Sequence, residues 1–137
     1  MRRRQARSDL PRVFVGRQAV HEGLLTARQL RGPHVVRVLH GVYRPVWVPL
    51  THLLKCQAAC LALPDAAVVT GTSAATVRGA VLAGPQDDVH VLVPQSCPVP
   101  RRSGLVVRTV RRPEPPGDPV AGVRLAGAHR TAFDAAA

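Results

Sequence analysis

Two hydrophobic rhythms alternate along the chain, one with helical spacing and one with the two-residue period of a strand. Over residues 13 to 23, "VFVGRQAVHEG", positions Phe14, Gln18 and Val20 fit a short helix that stops at Gly23. Thr26 is a natural N-cap for a second helix, "TARQLRG". Gly32-Pro33 ends it, because proline cannot continue a helix and restricts the residue before it. The period then changes. "HVVRVLHGVYR" (34 to 44) sets Val36, Val38 and Val42 against Arg37, which predicts a hairpin that bends or bulges near Gly41.

Beyond Pro49 a longer helix is expected through "THLLKCQAACLAL", capped by Thr51 and ended by Pro64-Asp65. "AAVVTG" (66 to 71) reads as a buried strand, and "TSAATVRGAVL" as a helix packed through small residues. "DVHVLVP" (88 to 94) and "GLVVRTV" (104 to 110) alternate as strands, and "RRPEPPGDP" (111 to 119) is a proline-rich loop. A short strand, "GVRL", and a helical start at "HRTAFDAAA" follow. Helices that precede and separate short strands make the expected class α+β.

At 137 residues the chain has room for one ordinary domain or two very small ones, which excludes a large enzyme. Basic residues outnumber acidic ones 19 to 8, and every basic residue except Lys55 is arginine. Codon bias toward arginine explains that ratio but not the net charge of +11. Residues 1 to 44 carry ten arginines against Asp9 and Glu22, for a net +8. Residues 45 to 98 carry −1 and residues 99 to 137 carry +4, so the field is concentrated toward the N-terminal end. Dense positive charge favours a polyanionic partner such as nucleic acid. The basic start "MRRRQARSDLPRVFV" leads into no long apolar region, so it does not read as a signal peptide, and no window suggests a membrane span. Three cysteines without a framework spacing fit a reducing compartment, and the expected location is cytoplasmic.

Helix, turn, helix and hairpin over residues 14 to 44 follow the order of a winged helix-turn-helix, whose second helix enters the major groove. On a helix that starts at Thr26, Leu30 faces inward with Leu24 and Leu25, leaving Ala27, Arg28 and Arg31 outward. Arg28 suits the guanine edge and Gln29, where it faces the groove, suits adenine. Arg37 and His40 on the wing, and Arg44 after it, suit phosphate. Spacing alone fits a solvated arginine face equally well. The arm, with Arg2, Arg3, Arg4 and Arg7, suits phosphate or the minor groove, and suits a solubilising tail as well.

Metal and catalytic chemistry have little support. His52, Cys56 and Cys60 stand at i, i+4 and i+8, but eight residues of helix separate the outer pair by about 12 Å, too far to share one ion. The stripe reads as core, and neither a metal nor a cofactor is expected. A nuclease centre needs clustered carboxylates with a lysine beside them. Lys55 has no acid beside it in sequence, Pro64-Asp65 runs into "AAVV", and Ser73 and Ser96 have no evident His and acid partners. No enzymatic activity is expected.

Taken in order, "VFVGRQAVHEGLLTARQLRG", "RVLHGVYR", "AACLALPDAAVVTGTSAATVRG" and "GVRLAGAHRTAFDAAA" resemble a family of actinobacterial proteins. Its members begin with an AbiEi-type antitoxin winged helix, continue through a small α/β segment, and often end in a Vsr-like endonuclease domain. The resemblance covers nearly the whole chain, and its most specific pieces are the helix-turn-helix running into "GVY" and the "RTAFD" motif. It implies a basic arm (1 to 12), a winged helix-turn-helix (13 to 48) and a small α/β domain (49 to 137). The implied partners are double-stranded DNA and a nucleotidyltransferase-type toxin, with autoregulation of an operon. The alternative it carries is the DNA-targeting part of a Vsr-like endonuclease without the catalytic domain. The segment before Phe14 is short and interrupted by Pro11, a departure that leaves no convincing first helix. Nothing in the sequence sets an oligomeric state.

Overall fold

The computed structural model describes residues 10 to 136, so the arm arginines Arg2, Arg3, Arg4 and Arg7 lie outside the described residues. The class is α+β, with five helices and two three-stranded sheets among the described residues. In the N-terminal part, strand β1 (Phe14–Val15) runs directly into helix α1 (Gly16–His21). Helix α2 (Ala27–Leu30) follows, then the hairpin of β2 (Val35–Leu39) and β3 (Val42–Pro45). Phe14, expected inside the first helix, is instead paired with Tyr43 across the sheet. Their rings stack with centroids 6.3 Å apart, so burying the aromatic side chain outweighs one more helical residue. The sheet order is β1-β3-β2, antiparallel throughout. A register shift between Arg37 and Leu39 turns Leu39 into the core opposite Val42.

The remainder holds helix α3 (His52–Ala62), β4 (Val68–Val69), α4 (Gly71–Val77), β5 (Val89–Pro94), β6 (Leu105–Val110) and α5 (Ala128–Ala136). Thr51 caps α3 as expected, its hydroxyl accepting from Leu54 N–H at 3.1 Å. The strand expected over 66 to 71 is only two residues long, and Gly71 already belongs to α4. That helix ends at Val77, not near 82, and Val81 and Leu82 are exposed at 92% and 60%. The "GVRL" strand is reduced to a parallel bridge from Leu125 to Val69. The second sheet is ordered β4-β5-β6, antiparallel in the first pair and parallel in the second.

One core joins the two parts. Leu39 and Val42 of the hairpin pack in the same buried cluster as Cys56, Ala58 and Ala59 of α3 and Val89, Val91 and Val93 of β5. Small residues on α3 let the hairpin approach closely, so the boundary between 48 and 49 marks a change of topology and not a gap in packing. A smaller cluster, Phe14, Ala19, Leu25 and Val35, holds the helical pair to the first sheet. Gly104, just before β6, has φ of +90°, and a Cβ there would lie 2.7 Å from Leu39 Cδ2. Glycine therefore permits both the backbone turn and the contact between the two sheets.

The "RTAFD" segment supplies a buried polar anchor. Asp134, on α5, accepts from the Thr70 hydroxyl at 2.6 Å, from Arg130 Nε at 3.1 Å and from Arg108 Nη1 at 3.3 Å. Arg78 donates to Thr131 Oγ1 and the Ala126 carbonyl, tying α4 to the same helix. The Asp134 side chain is 1% exposed, so these donors take the place of the water its oxygens would otherwise bind. Replacing Asp134 with Ala leaves a buried hydroxyl and two guanidiniums without their acceptor, and is expected to lower unfolding stability by about 3 kcal/mol. Urea titration followed by circular dichroism checks this, and a loss under about 1 kcal/mol would show that the carboxylate is not an anchor.

Candidate nucleic-acid interface

Helix α2 is a single turn, about 6 Å long, and it is held at its start by a reciprocal cap. Thr26 Oγ1 accepts from Gln29 N–H at 3.1 Å, while Gln29 Oε1 accepts from Thr26 N–H at 2.8 Å. Gln29 is half-buried and its amide oxygen is engaged in this cap. Its first role is therefore to hold the helix, and a bidentate contact to adenine would have to share that oxygen. Thr26 is likewise a capping residue, exposed at the helix start.

Arg28 and Arg31 of the α2 turn and Arg37 of β2 are exposed, as is His40 in the hairpin turn. Arg44, expected to suit phosphate, also has a local acceptor. It is half-buried, and Nη1 donates to the Val48 carbonyl at 2.7 Å, closing the turn after β3. An open groove of about 860 Å³ lies beside α2, and Val20, Leu24, Leu25 and Arg28 are among the residues that line it.

The arginines fall into two populations. Arg78, Arg108, Arg124 and Arg130 are tied into the C-terminal part by hydrogen bonds to carbonyls, hydroxyls or carboxylates. Arg12, Arg17, Arg28, Arg31 and Arg37 are exposed, and their side chains make no hydrogen bond or ion pair among the described residues. Glu22 is the one described acid in residues 10 to 48, and it accepts from the neighbouring Gln18 amide. A guanidinium with five unengaged donors is suited to phosphate oxygens and guanine edges.

Gly16 fixes the geometry that carries these groups. A Cβ at this position would lie 2.6 Å from Tyr43 Cε1 and 2.9 Å from Leu30 Cδ2. The bare glycine thus lets α1, the end of α2 and the hairpin meet at one point. No signal in the local hydrophobic pattern marks it, because the clash partners are 14 and 27 residues away.

The fold also assembles a polar cluster that the sequence did not place together. His52 and Ser73, 21 residues apart, meet with Nε2 and Oγ at 2.8 Å. His52 Nδ1 lies 2.9 Å from the Gly84 carbonyl, which can only accept, so Nδ1 carries the proton and Nε2 accepts from the serine hydroxyl. Ser73 Oγ in turn accepts from His90 N–H. Lys55 does have an aspartate beside it in space: Nζ donates to the Asp87 main-chain carbonyl at 2.6 Å. The Asp87 carboxylate itself accepts from Gly84 N–H. Ser73 is fully buried and His52 nearly so, and the ring's orienting partner is a carbonyl and not a carboxylate. The cluster thus pins α3 to α4 and to the loop before β5. Cys56 is fully buried, and burial pushes its thiol up to about 12, leaving it protonated and in the core.

Comparison with family models, with curated proteins and with solved structures gives no match to this chain. No described helix is long and apolar enough to cross a membrane.

Burial lowers the His52 pKa from its ordinary value of 6.5. The unfolded chain therefore takes up a proton at this site more readily than the folded one, and the stability associated with neutral His52 is present above about pH 6.5 and lost below it. Urea midpoints measured from about pH 7.5 down to about pH 5.5 should fall, and His52→Asn should flatten that fall. Equal slopes for the two proteins would remove His52 as the cause. Gly16→Ala forces the Tyr43 ring or Leu30 to move and should cost about 1 to 2 kcal/mol in the same titration. An unchanged midpoint would mean that the junction relaxes freely.

Proposed function

We propose that the protein is a non-enzymatic DNA-binding protein of the AbiEi-like antitoxin and transcriptional repressor type. In this reading residues 13 to 48 form a winged helix-turn-helix, with α2 as the groove-entering turn and the β2–β3 hairpin as the wing. The observation that carries it is the set of five exposed arginines in the N-terminal part, Arg12, Arg17, Arg28, Arg31 and Arg37, whose side chains have no partner among the described residues. Two features add support: the strand order β1-β3-β2 with two helices between β1 and β2, and the ordered sequence resemblance. Arg28 and Arg31 contact base edges or the flanking phosphates, and Arg37 and His40 lie on the backbone beside them. Arg44 and Gln29 support the surface through the Val48 carbonyl and the α2 cap.

The same reading gives double-stranded DNA as the partner, with a nucleotidyltransferase-type toxin as the second partner if the protein works within an operon. Gel-shift titration against DNA from upstream of its own coding sequence should show binding that Arg28→Ala with Arg31→Ala abolishes. The wild-type log affinity should fall against log salt with a slope of about −4 to −5, as for about five phosphate contacts. Unchanged binding by the folded double variant, or a slope shallower than about −2, would overturn the assignment.

A further inference from the structure

Strand β6 (Leu105–Val110) pairs with β5 on one side and, among the described residues, with no strand on the other. Its register shows which groups are left over. Val89 N–H donates to the Gly104 carbonyl and Gln95 N–H to the Val110 carbonyl, so the even-numbered residues of β6 face β5. The odd-numbered residues then point their main-chain groups away from the sheet. Leu105 N–H turns back to the Arg102 carbonyl, whereas the amides of Val107 and Thr109 have no partner among the described residues. An open groove of about 480 Å³ at the start of the strand is lined by Arg101, Arg102, Ser103, Leu105, Val106 and Val107. Val106 and Thr109 are exposed.

The charge around this edge selects the occupant. Residues 101 to 112 contain Arg101, Arg102, Arg108, Arg111 and Arg112 and no acid. Arg108 is engaged by Asp134, and the other four make no ion pair among the described residues. Asp88, which immediately precedes β5, belongs to the chain on the paired side of the strand. A second copy docked antiparallel would set Arg101 and Arg102 against its own Arg111 and Arg112, and like charges directly opposite oppose pairing. We infer that the outer edge of β6 binds an extended acidic segment of a partner protein as an added strand. Its carbonyls accept from Val107 and Thr109, and its carboxylates face the flanking arginines. This edge uses none of the arginines of α2 and β2 and goes beyond the DNA-binding reading.

The test uses the full chain and two acetylated heptapeptides, one alternating glutamate with valine and one alternating lysine with valine. Fluorescence titration should show the acidic peptide binding about tenfold more tightly, as expected if three or four exposed ion pairs each contribute about twofold. Amide hydrogen exchange should then slow at Val107 and Thr109. Thr109→Pro removes an outward amide while leaving the ladder to β5 intact, and should abolish binding without changing the far-ultraviolet spectrum. Arg101→Glu with Arg102→Glu should reverse the preference between the peptides, which keeps the test valid even if the proline variant fails to fold. Equal affinity for both peptides, or no protection at Val107 and Thr109 at saturation, would overturn the proposal. A mass that doubles with concentration through this edge, or DNA affinity lost on reversing Arg101 and Arg102 with no peptide binding, would overturn it as well.

Discussion

The seat of the hairpin on α3 is the contact from which the rest of the arrangement follows. Leu39 and Val42 reach past the ends of their own short strands into a core built mainly by α3 and β5. The first sheet is too small to bury two faces of its own, and a two-residue β1 adds little. Sharing a core solves this problem of size. It also fixes the direction in which Arg37 and His40 project, because the turn between the strands cannot swing independently of the second sheet.

The distribution of arginine is the second organising principle. A guanidinium cannot shed its charge, so each one must be solvated or given acceptors. Arg78, Arg108, Arg124 and Arg130 follow the second course: Arg124 alone reaches the carbonyls of Cys60, Leu63, Pro64 and Ala67, closing the end of α3. Arg12, Arg17, Arg28, Arg31 and Arg37, and further along Arg101, Arg111 and Arg112, are exposed and follow the first. Composition could not distinguish these two groups, since both are arginine in an arginine-rich chain, and the difference lies in whether long-range folding brings a carbonyl or a carboxylate within reach.

Much of the architecture was legible where the determinants are local. The caps at Thr26 and Thr51, the break at Gly32-Pro33, the hairpin bend at Gly41 and the strand 89 to 94 all follow from neighbouring residues. Elements were misread where tertiary contacts decide. Phe14 became a strand residue through Tyr43, and α4 ended early because its last predicted turn, around Val81, has nothing to pack against. Among the candidate contact residues, the exposure of Arg28, Arg31, Arg37 and His40 agrees with their helical and strand spacing. Gln29 and Arg44 took on supporting bonds because Thr26 N–H and the Val48 carbonyl, three and four residues away, needed partners. The His52–Ser73 pair was invisible because 21 residues and two turns separate its members.

One consequence concerns how such a surface can be regulated. Lys55 is the single lysine of the chain; it is 7% exposed, with its ammonium held on the Asp87 carbonyl. Acylation of side-chain amines, the common enzymatic means of cancelling positive charge, therefore has no exposed target on the basic face. Methylation of arginine would leave the charge in place. Arginine stays charged throughout the physiological range, so what binds the arginine face would respond to ionic strength and to competing polyanions.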